Sequence, residues 1–304
     1  LNRFAEIRRR KEARRRRKAQ SKPPVPFKFV PTSLLYARGG PWMAQKRRHL
    51  SSGMRSELGR DENLLRFSRS SLSTGVFRGT SIFDPVLCEI AYRYCPEGGL
   101  VLDPFSGGSV RGLVAGMLGR RYYGVDLSAR QIEANIAQRE RIAAGADIRW
   151  TCGDARDAAN LPKESGDLLF TCPPFGDLEV YSNDARDLSC MEWPAFVEAY
   201  HDVIRLWAKR LRDDRFAIVV VAEIRGPDGF YRGLLEETVR IFQAADMRFY
   251  QDAVLATPLG SAALRMNLIH SGAGKLVPAH QHVRIFVRGD PKKAWAACRA
   301  ARAE

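Results

Sequence analysis

The chain has 304 residues, 45% of them hydrophobic, and a formal net charge of +15. That length and apolar content suffice for a full core, expected as one domain with extensions, and no apolar run reaches the ~18 residues of a membrane span. The cysteines, Cys88, Cys95, Cys152, Cys172, Cys190 and Cys298, include no CxxC pair, which argues against a zinc ribbon and fits reduced thiols in a cytosolic setting.

The charge is uneven. Residues 1–28 hold twelve Lys or Arg against Glu6 and Glu12, two thirds of the net charge. Such a block repels itself and is expected as a solvated tail over 1–30, or more sharply as an arm that grips phosphates with salt-sensitive, sequence-blind affinity. Its charged first residues do not resemble a signal peptide. "SKPPVPFKF" then reads as an extended linker, and residues 31–76 carry no assignable pattern.

From residue 77 a single domain is expected to run to 290, with a short tail over 291–304. "FDPVLCEIAYRYC" has helical spacing; "GLVLDPF" (99–105) is a strand, and "VRGLVAGMLG" (110–119) a helix stopped by Gly119. "RYYGVD" is the next strand, followed by "LSARQIEANIAQRERIA", a helix that Ser128 can cap. "DIRWTCGD" and "DLLFTCPP" are strands three and four. A long amphipathic helix, "WPAFVEAYHDVIRLWAKRL", precedes strand "FAIVVVAEI". Helix "RGLLEETVRIFQAA" then leads to two strands, "FYQDAVLATP" and "HVRIFVRG", with no helix between them. Alternation of strand and helix predicts an α/β fold with a mostly parallel sheet covered on both faces. The final pair predicts an antiparallel edge strand.

The distinctive residues fall at strand ends, where open α/β sheets bind ligands. "DPFSGGS" (103–109) ends the first strand in glycines that let a ligand approach the backbone. Asp126 ends the second, where a carboxylate can accept from both hydroxyls of a ribose. Asp154 ends the third, where it either receives an adenine amino group or caps a turn. The GxGxxG pattern of NAD sites is absent. The fourth strand runs into "TCPPF".

This combination resembles the S-adenosylmethionine-dependent amino-methyltransferases of nucleic acids, which modify adenine N6 or cytosine N4. "DPFSGGS" resembles their first cofactor motif, D-P-F-x-G-S-G-T; "YYGVDLSARQIEAN" resembles the segment after it. "TCPPF" resembles the catalytic D/N/S-P-P-Y/F/W tetrapeptide. "GTSIFDPVLCEIAYRY" sits where that family places the helix flanking the methionine end of the cofactor.

The resemblance implies a Rossmann-like, seven-stranded methyltransferase sheet and S-adenosyl-L-methionine as cofactor, held by Phe83, Asp103, Phe105, Gly107, Gly108, Asp126 and Asp154. It implies a catalytic turn of Cys172, Pro173, Pro174 and Phe175, in which the Cys172 side chain and the Pro173 carbonyl accept hydrogen bonds from a base amine. The prolines fix the backbone, and Phe175 offers a face to a flipped-out base. No metal is required. Two positions depart from the family: Gly107-Gly108-Ser109 replaces Gly-Ser-Gly, and Cys172 replaces Asp, Asn or Ser with a weak acceptor. A covalent C5-cytosine mechanism is disfavoured, because that family's motif places Cys after proline.

The expected partner is DNA, with a cytoplasmic location and no membrane; an RNA base methyltransferase and a catalytically weak binding protein are the alternatives. Segments 176–191 and 259–281 are candidate recognition loops, the second offering Arg265, Asn267 and Lys275 to groove or phosphate. His280 and His282 lack Cys or acid partners at ligand spacing and read as structural or phosphate-contacting.

Overall fold

A computed structural model describes residues 31–55, 58–59, 83–176, 180–257 and 274–300. The strands are β1 (Leu34–Tyr36), β2 (Leu100–Asp103), β3 (Arg121–Asp126), β4 (Ile148–Cys152), β5 (Gly166–Thr171), β6 (Leu211–Val221), β7 (Arg248–Ala256) and β8 (His280–Arg288). The helices are α1 (Gly40–Ser51), α2 (Pro85–Ala91), α3 (Val110–Met117), α4 (Ala129–Ile142), α5 (Trp193–Ala208), α6 (Leu234–Ala244) and α7 (Pro291–Ala300). One sheet contains all eight strands in the order β1-β7-β8-β6-β5-β2-β3-β4. β8 runs antiparallel to β6 and β7, and the other pairings are parallel.

All seven expected strands are present, in a mostly parallel, Rossmann-like α/β sheet. Two details correct the sequence expectation. An eighth strand, β1, pairs with β7 (Leu34 opposite Val254). The antiparallel strand also lies two places inside that edge, for a reason visible in burial. β6 is buried from Phe216 to Val221 and needs a partner on each side, which apolar β8 supplies. β7, exposed along Arg248–Tyr250, takes the place beyond it.

Helices on both faces bury the central strands completely, so β2 and β5 read as unbroken apolar runs rather than alternating ones. The period of two survives in the packing. On β5, Leu168 and Phe170 enter one core with α2 and α3, while Leu169 enters the other with Phe196, Tyr200 and Trp207 of α5. Ser128 caps α4 by accepting from the Gln131 amide, as its position predicts.

Residues 31–55 and 58–59, which carry no sequence pattern, form a strap across the α2 face. After β1, α1 docks on α2 through polar contacts: Trp42 Nε1 and Lys46 Nζ donate to Asp84 at 3.2 and 2.9 Å, and Gln45 Nε2 donates to Glu89 at 2.6 Å. His49 Nε2 bonds the same Glu89 carboxylate. The strap then reaches α4, where Gln138 bonds both the amide and the carbonyl of Arg55, and Gln131 donates to the Leu58 carbonyl. The segment beyond 290, expected as a tail, continues as α7 with Ala294 and Cys298 buried. No helix among the described residues is long and apolar enough to cross a membrane.

Candidate functional site

The carboxyl ends of β2, β3, β4 and β5 converge at one mouth, the binding edge of an open α/β sheet. Asp103 ends β2 and is fully buried. Its carboxylate accepts from Arg111 Nε at 2.6 Å, Tyr122 Oη at 2.6 Å, Thr171 Oγ1 at 2.7 Å and the Phe105 amide at 3.3 Å. A buried carboxylate is tolerable only when paired and hydrogen-bonded in this way. Burial alone would lower the Arg111 guanidinium's pKa, but the adjoining Asp103 carboxylate raises it, so the guanidinium keeps its charge. Burial pushes the Tyr122 hydroxyl well up, and the Asp103 charge adds to this, keeping it a donor.

Arg111 carries the effect of Asp103 into the glycine turn. Its Nη2 donates to the carbonyls of Phe105 and, at 3.1 Å, Ser106, and its guanidinium lies 4.5 Å from the centre of the Phe83 ring. Asp103, expected as a cofactor contact, thus holds the turn from behind; its oxygens face protein donors.

Gly107 makes the turn possible. Its φ of 48° is in the left-handed region open to glycine. Its amide donates to Asp126 Oδ2 at 2.9 Å, and its carbonyl accepts from Asn135 Nδ2 at 2.8 Å. Ser128 N binds the other Asp126 oxygen at 2.9 Å. Asp126, at the end of β3, is therefore oriented by two backbone amides while remaining half-exposed. Gly108 is also half-exposed, and Phe105 packs toward Tyr200, ring centres 6.1 Å apart.

Asp154 takes the turn-capping alternative. It accepts from the Arg156 amide at 2.9 Å and pairs with its guanidinium at 2.7 Å. Burial works to raise its carboxyl, but the hydrogen bonds from Arg156 prevail and hold it below the ordinary range. An adenine amino group at Asp154 has to compete with a guanidinium. The same tetrad, Asp-Ala-Arg-Asp, recurs at 184–187 with the same geometry: Arg186 clasps Asp184 at 2.6 Å, and Asp187, like Asp157, caps a following 3-10 turn. Arg156 Nη2 joins the two by donating to the Arg186 carbonyl at 3.2 Å.

The turn Cys172-Pro173-Pro174-Phe175 leaves β5 directly after Thr171. Cys172 packs with the α2-side core and Phe175 with the α5-side core, so the turn straddles the sheet. Cys172 Sγ lies 4.0 Å from the Pro173 carbonyl oxygen. Gly176, at φ 56°, closes the turn under Ile224, where a Cβ would meet Ile224 Cδ1 at 2.9 Å and approach Trp193 and Arg232.

The structure brings Phe83, Phe105, Gly107, Asp126 and the 172–175 turn together around this mouth. Lys275 lies over Gly229, in the loop that also carries Arg232. Arg265 and Asn267 lie outside the described residues, as does the basic arm over 1–30. His282 bonds Asp252 at 3.1 Å, a structural role, and no metal-binding cluster occurs among the described residues. Sequence reasoning misses Arg111, Tyr122 and Thr171, because one charged residue in a helix and two strand residues read as ordinary surface and core. Their only signal is proximity to "DPF" and "CPP".

No protein-family model matches the chain, and no curated protein matches it. Among solved structures, it is similar to TrmN from Thermus thermophilus, at 17% identity and a TM-score of 0.47. That match covers 73% of this chain but 52% of the TrmN chain, about half its length. It is also similar to magnesium protoporphyrin IX methyltransferase (ChlM) from Synechocystis with bound SAM, at 13% identity and a TM-score of 0.41, covering 64% of this chain and 71% of that one. The [4+2]-cyclase SpnF matches at 15% identity and a TM-score of 0.47, covering 67% and 81%. Likenesses this distant bear on neither substrate nor cofactor.

Proposed function

We propose that the chain is an S-adenosylmethionine-dependent methyltransferase acting on an exocyclic base amine of DNA, adenine N6 or cytosine N4. The observation that carries it is the bond from Thr171 to Asp103, which ties the Cys172–Phe175 turn to the glycine turn after β2. Two pieces resembling the catalytic and cofactor motifs of the amino-methyltransferases are thereby one hydrogen-bonded unit.

The residues fit the cofactor. Asp126 presents oriented oxygens to a ribose, Gly107 and Gly108 leave room beside the backbone, and Phe83 is held by Arg111 at the methionine end. Ser106 and Ser109 have buried hydroxyls with no partner in the structure, so the turn retains capacity for polar contact. When bound, the cofactor would supply an electrophilic methyl group: the new N–C bond would replace the methyl–sulfonium bond, leaving the neutral thioether, and the nitrogen would release one proton to solvent.

The chain's own residues position that nitrogen. An exocyclic amine is a poor nucleophile because its lone pair is conjugated into the ring. The Pro173 carbonyl, with a weaker contribution from Cys172, accepts from the amine and favours tetrahedral geometry. Phe175 stacks on the base, which has to leave the duplex to reach the turn. Catalysis then rests on proximity and orientation rather than on acid–base chemistry.

The test is mass spectrometry of nucleosides from unmethylated duplex DNA incubated with the protein and labelled cofactor. Labelled N6-methyladenosine or N4-methylcytidine in its deoxy form is expected. Label appearing only in structured RNA, or cofactor binding without transfer to any nucleic acid, overturns the proposal.

A further inference from the structure

Between β6 and α6 the chain forms a hairpin, "RGPDGFYR" (225–232), that neither motif accounts for. Its base is fixed by Glu223, whose carboxylate accepts from the amides of Ile224, Gly233 and Leu234 at 3.0–3.1 Å. Its arms are joined by Gly226 N to the Phe230 carbonyl at 2.8 Å and Arg232 N to the Ile224 carbonyl at 2.9 Å, and Asp228 caps the tip. This much internal bonding holds an apolar tip in water: Phe230 is 74% exposed and Tyr231 51%. An exposed aromatic pair on a rigid support is a preorganised binding face rather than a collapsed loop.

Three cations adjoin the aromatic tip, while the acids Glu223, Glu236 and Glu237 lie at the hairpin's base and the start of α6. Arg225 stacks on Tyr231, 3.9 Å from the ring centre, and donates to the Gly229 carbonyl at 3.0 Å. Arg232 lies over Trp193 at 5.4 Å, and Lys275 Nζ packs against Gly229. Asp228 is the one acid of the hairpin, and its carboxylate is engaged by the Phe230 amide. The hairpin also adjoins the catalytic turn, since Ile224 and Arg232 bound the space over Gly176.

Aromatic faces interleaved with guanidinium and ammonium groups match a strand of unpaired nucleotides, whose bases stack and whose phosphates pair with the cations. Resting on the DNA assignment above, we propose that this hairpin is the platform for the DNA strand flanking the extruded base. Phe230 and Tyr231 stack on neighbouring nucleotides, and Arg225, Arg232 and Lys275 meet their phosphates.

The experiment measures binding of a fluorescein-labelled single-stranded DNA oligonucleotide, together with labelled methyl transfer to duplex DNA, for wild type and variants. Phe230→Ala is expected to weaken oligonucleotide binding roughly five- to hundredfold, the range for one lost stacking contact, with affinity for S-adenosylhomocysteine unchanged. Phe230→Trp should restore it. Lys275→Gln should lower the salt slope of binding by about one. If wild type methylates DNA but Phe230→Ala binds and methylates equally well, the platform fails and the enzymatic assignment stands. If wild type neither binds nor methylates DNA, the enzymatic assignment itself fails. Loss of self-association in Phe230→Ala, with DNA binding intact, would give the face to a second copy of the chain and overturn the platform.

Discussion

Thr171 and Asp103 occupy neighbouring strands, and the 2.7 Å bond between Thr171 Oγ1 and Asp103 Oδ1 fixes two loops leaving the sheet side by side. Thr171→Val keeps the shape and removes the donor, leaving that oxygen only the longer Phe105 contact at 3.3 Å. The expected loss is about 1–3 kcal/mol, the penalty for an under-satisfied buried acceptor. Urea unfolding should show a lower midpoint with an unchanged slope. An unchanged midpoint removes the bond from the account of the site.

Arg111 is the harsher test. Arg111→Met leaves the Asp103 charge buried and should cost about 3–5 kcal/mol. Asp103→Asn with Arg111→Met together should cost less than the sum of the two single changes, by about 0.5–3 kcal/mol. Strict additivity in a thermal-unfolding cycle contradicts a coupled pair.

For the cofactor, Asp126→Ala should weaken S-adenosylmethionine binding by about 1.5–3 kcal/mol, the scale of hydrogen bonds to a charged group. Calorimetry on the folded variant checks it. Equal affinity excludes Asp126 from the ribose contact.

Cys172 separates two mechanisms. As a neutral acceptor in the amine-binding turn it tolerates serine, which is similar in size and a better acceptor. Cys172→Ser should keep measurable transfer, while Cys172→Ala should lose about ten- to a hundredfold, or about 1.4–2.7 kcal/mol of transition-state stabilisation. A Cys172-dependent adduct with fluorinated cytosine contradicts this and indicates covalent catalysis.

The Asp184 carboxyl sits at about 2, below its ordinary 3.8, held down by hydrogen bonds from the Arg186 side chain and backbone. Because its folded value is the lower one, its contribution is complete above about 3.8 and is lost as pH falls through 2. The carboxyl carbon should titrate in NMR with a midpoint near 2, and Arg186→Gln should return it toward the ordinary value. Hydrogen exchange of the 180–190 loop should rise over the same acid range.

The legible parts of this fold are those that bury apolar side chains with a clear period. β2, β5 and β6 appear as apolar runs because both their faces are covered, and Ser128 marks the start of α4 by its side-chain chemistry. The strap is silent for the opposite reason. α1 docks through Trp42, Gln45, Lys46 and His49, and polar burial leaves no hydrophobic stripe. β1 has three residues, and α7 buries small Ala294 and Cys298. In the site, the motifs mark where Asp103 and Asp154 stand but not what they face. Arg111 and Arg156 decide that, and only folding brings the Thr171, Tyr122 and Arg111 donors onto one carboxylate.

The placement of β1 also dictates an order of assembly. Leu34 pairs with Val254, and β7 is joined to the rest of the sheet only through β8, which ends at Arg288. β1 is therefore made well before the strand that anchors its partner. Contacts this distant in sequence close slowly, because the loop entropy is lost before the pairing rewards it. Until then α1 has only α2 to rest on, and the outer edge of β7 is open. The strap is thus a final clasp, fastened by three residues after the sheet beneath it is complete.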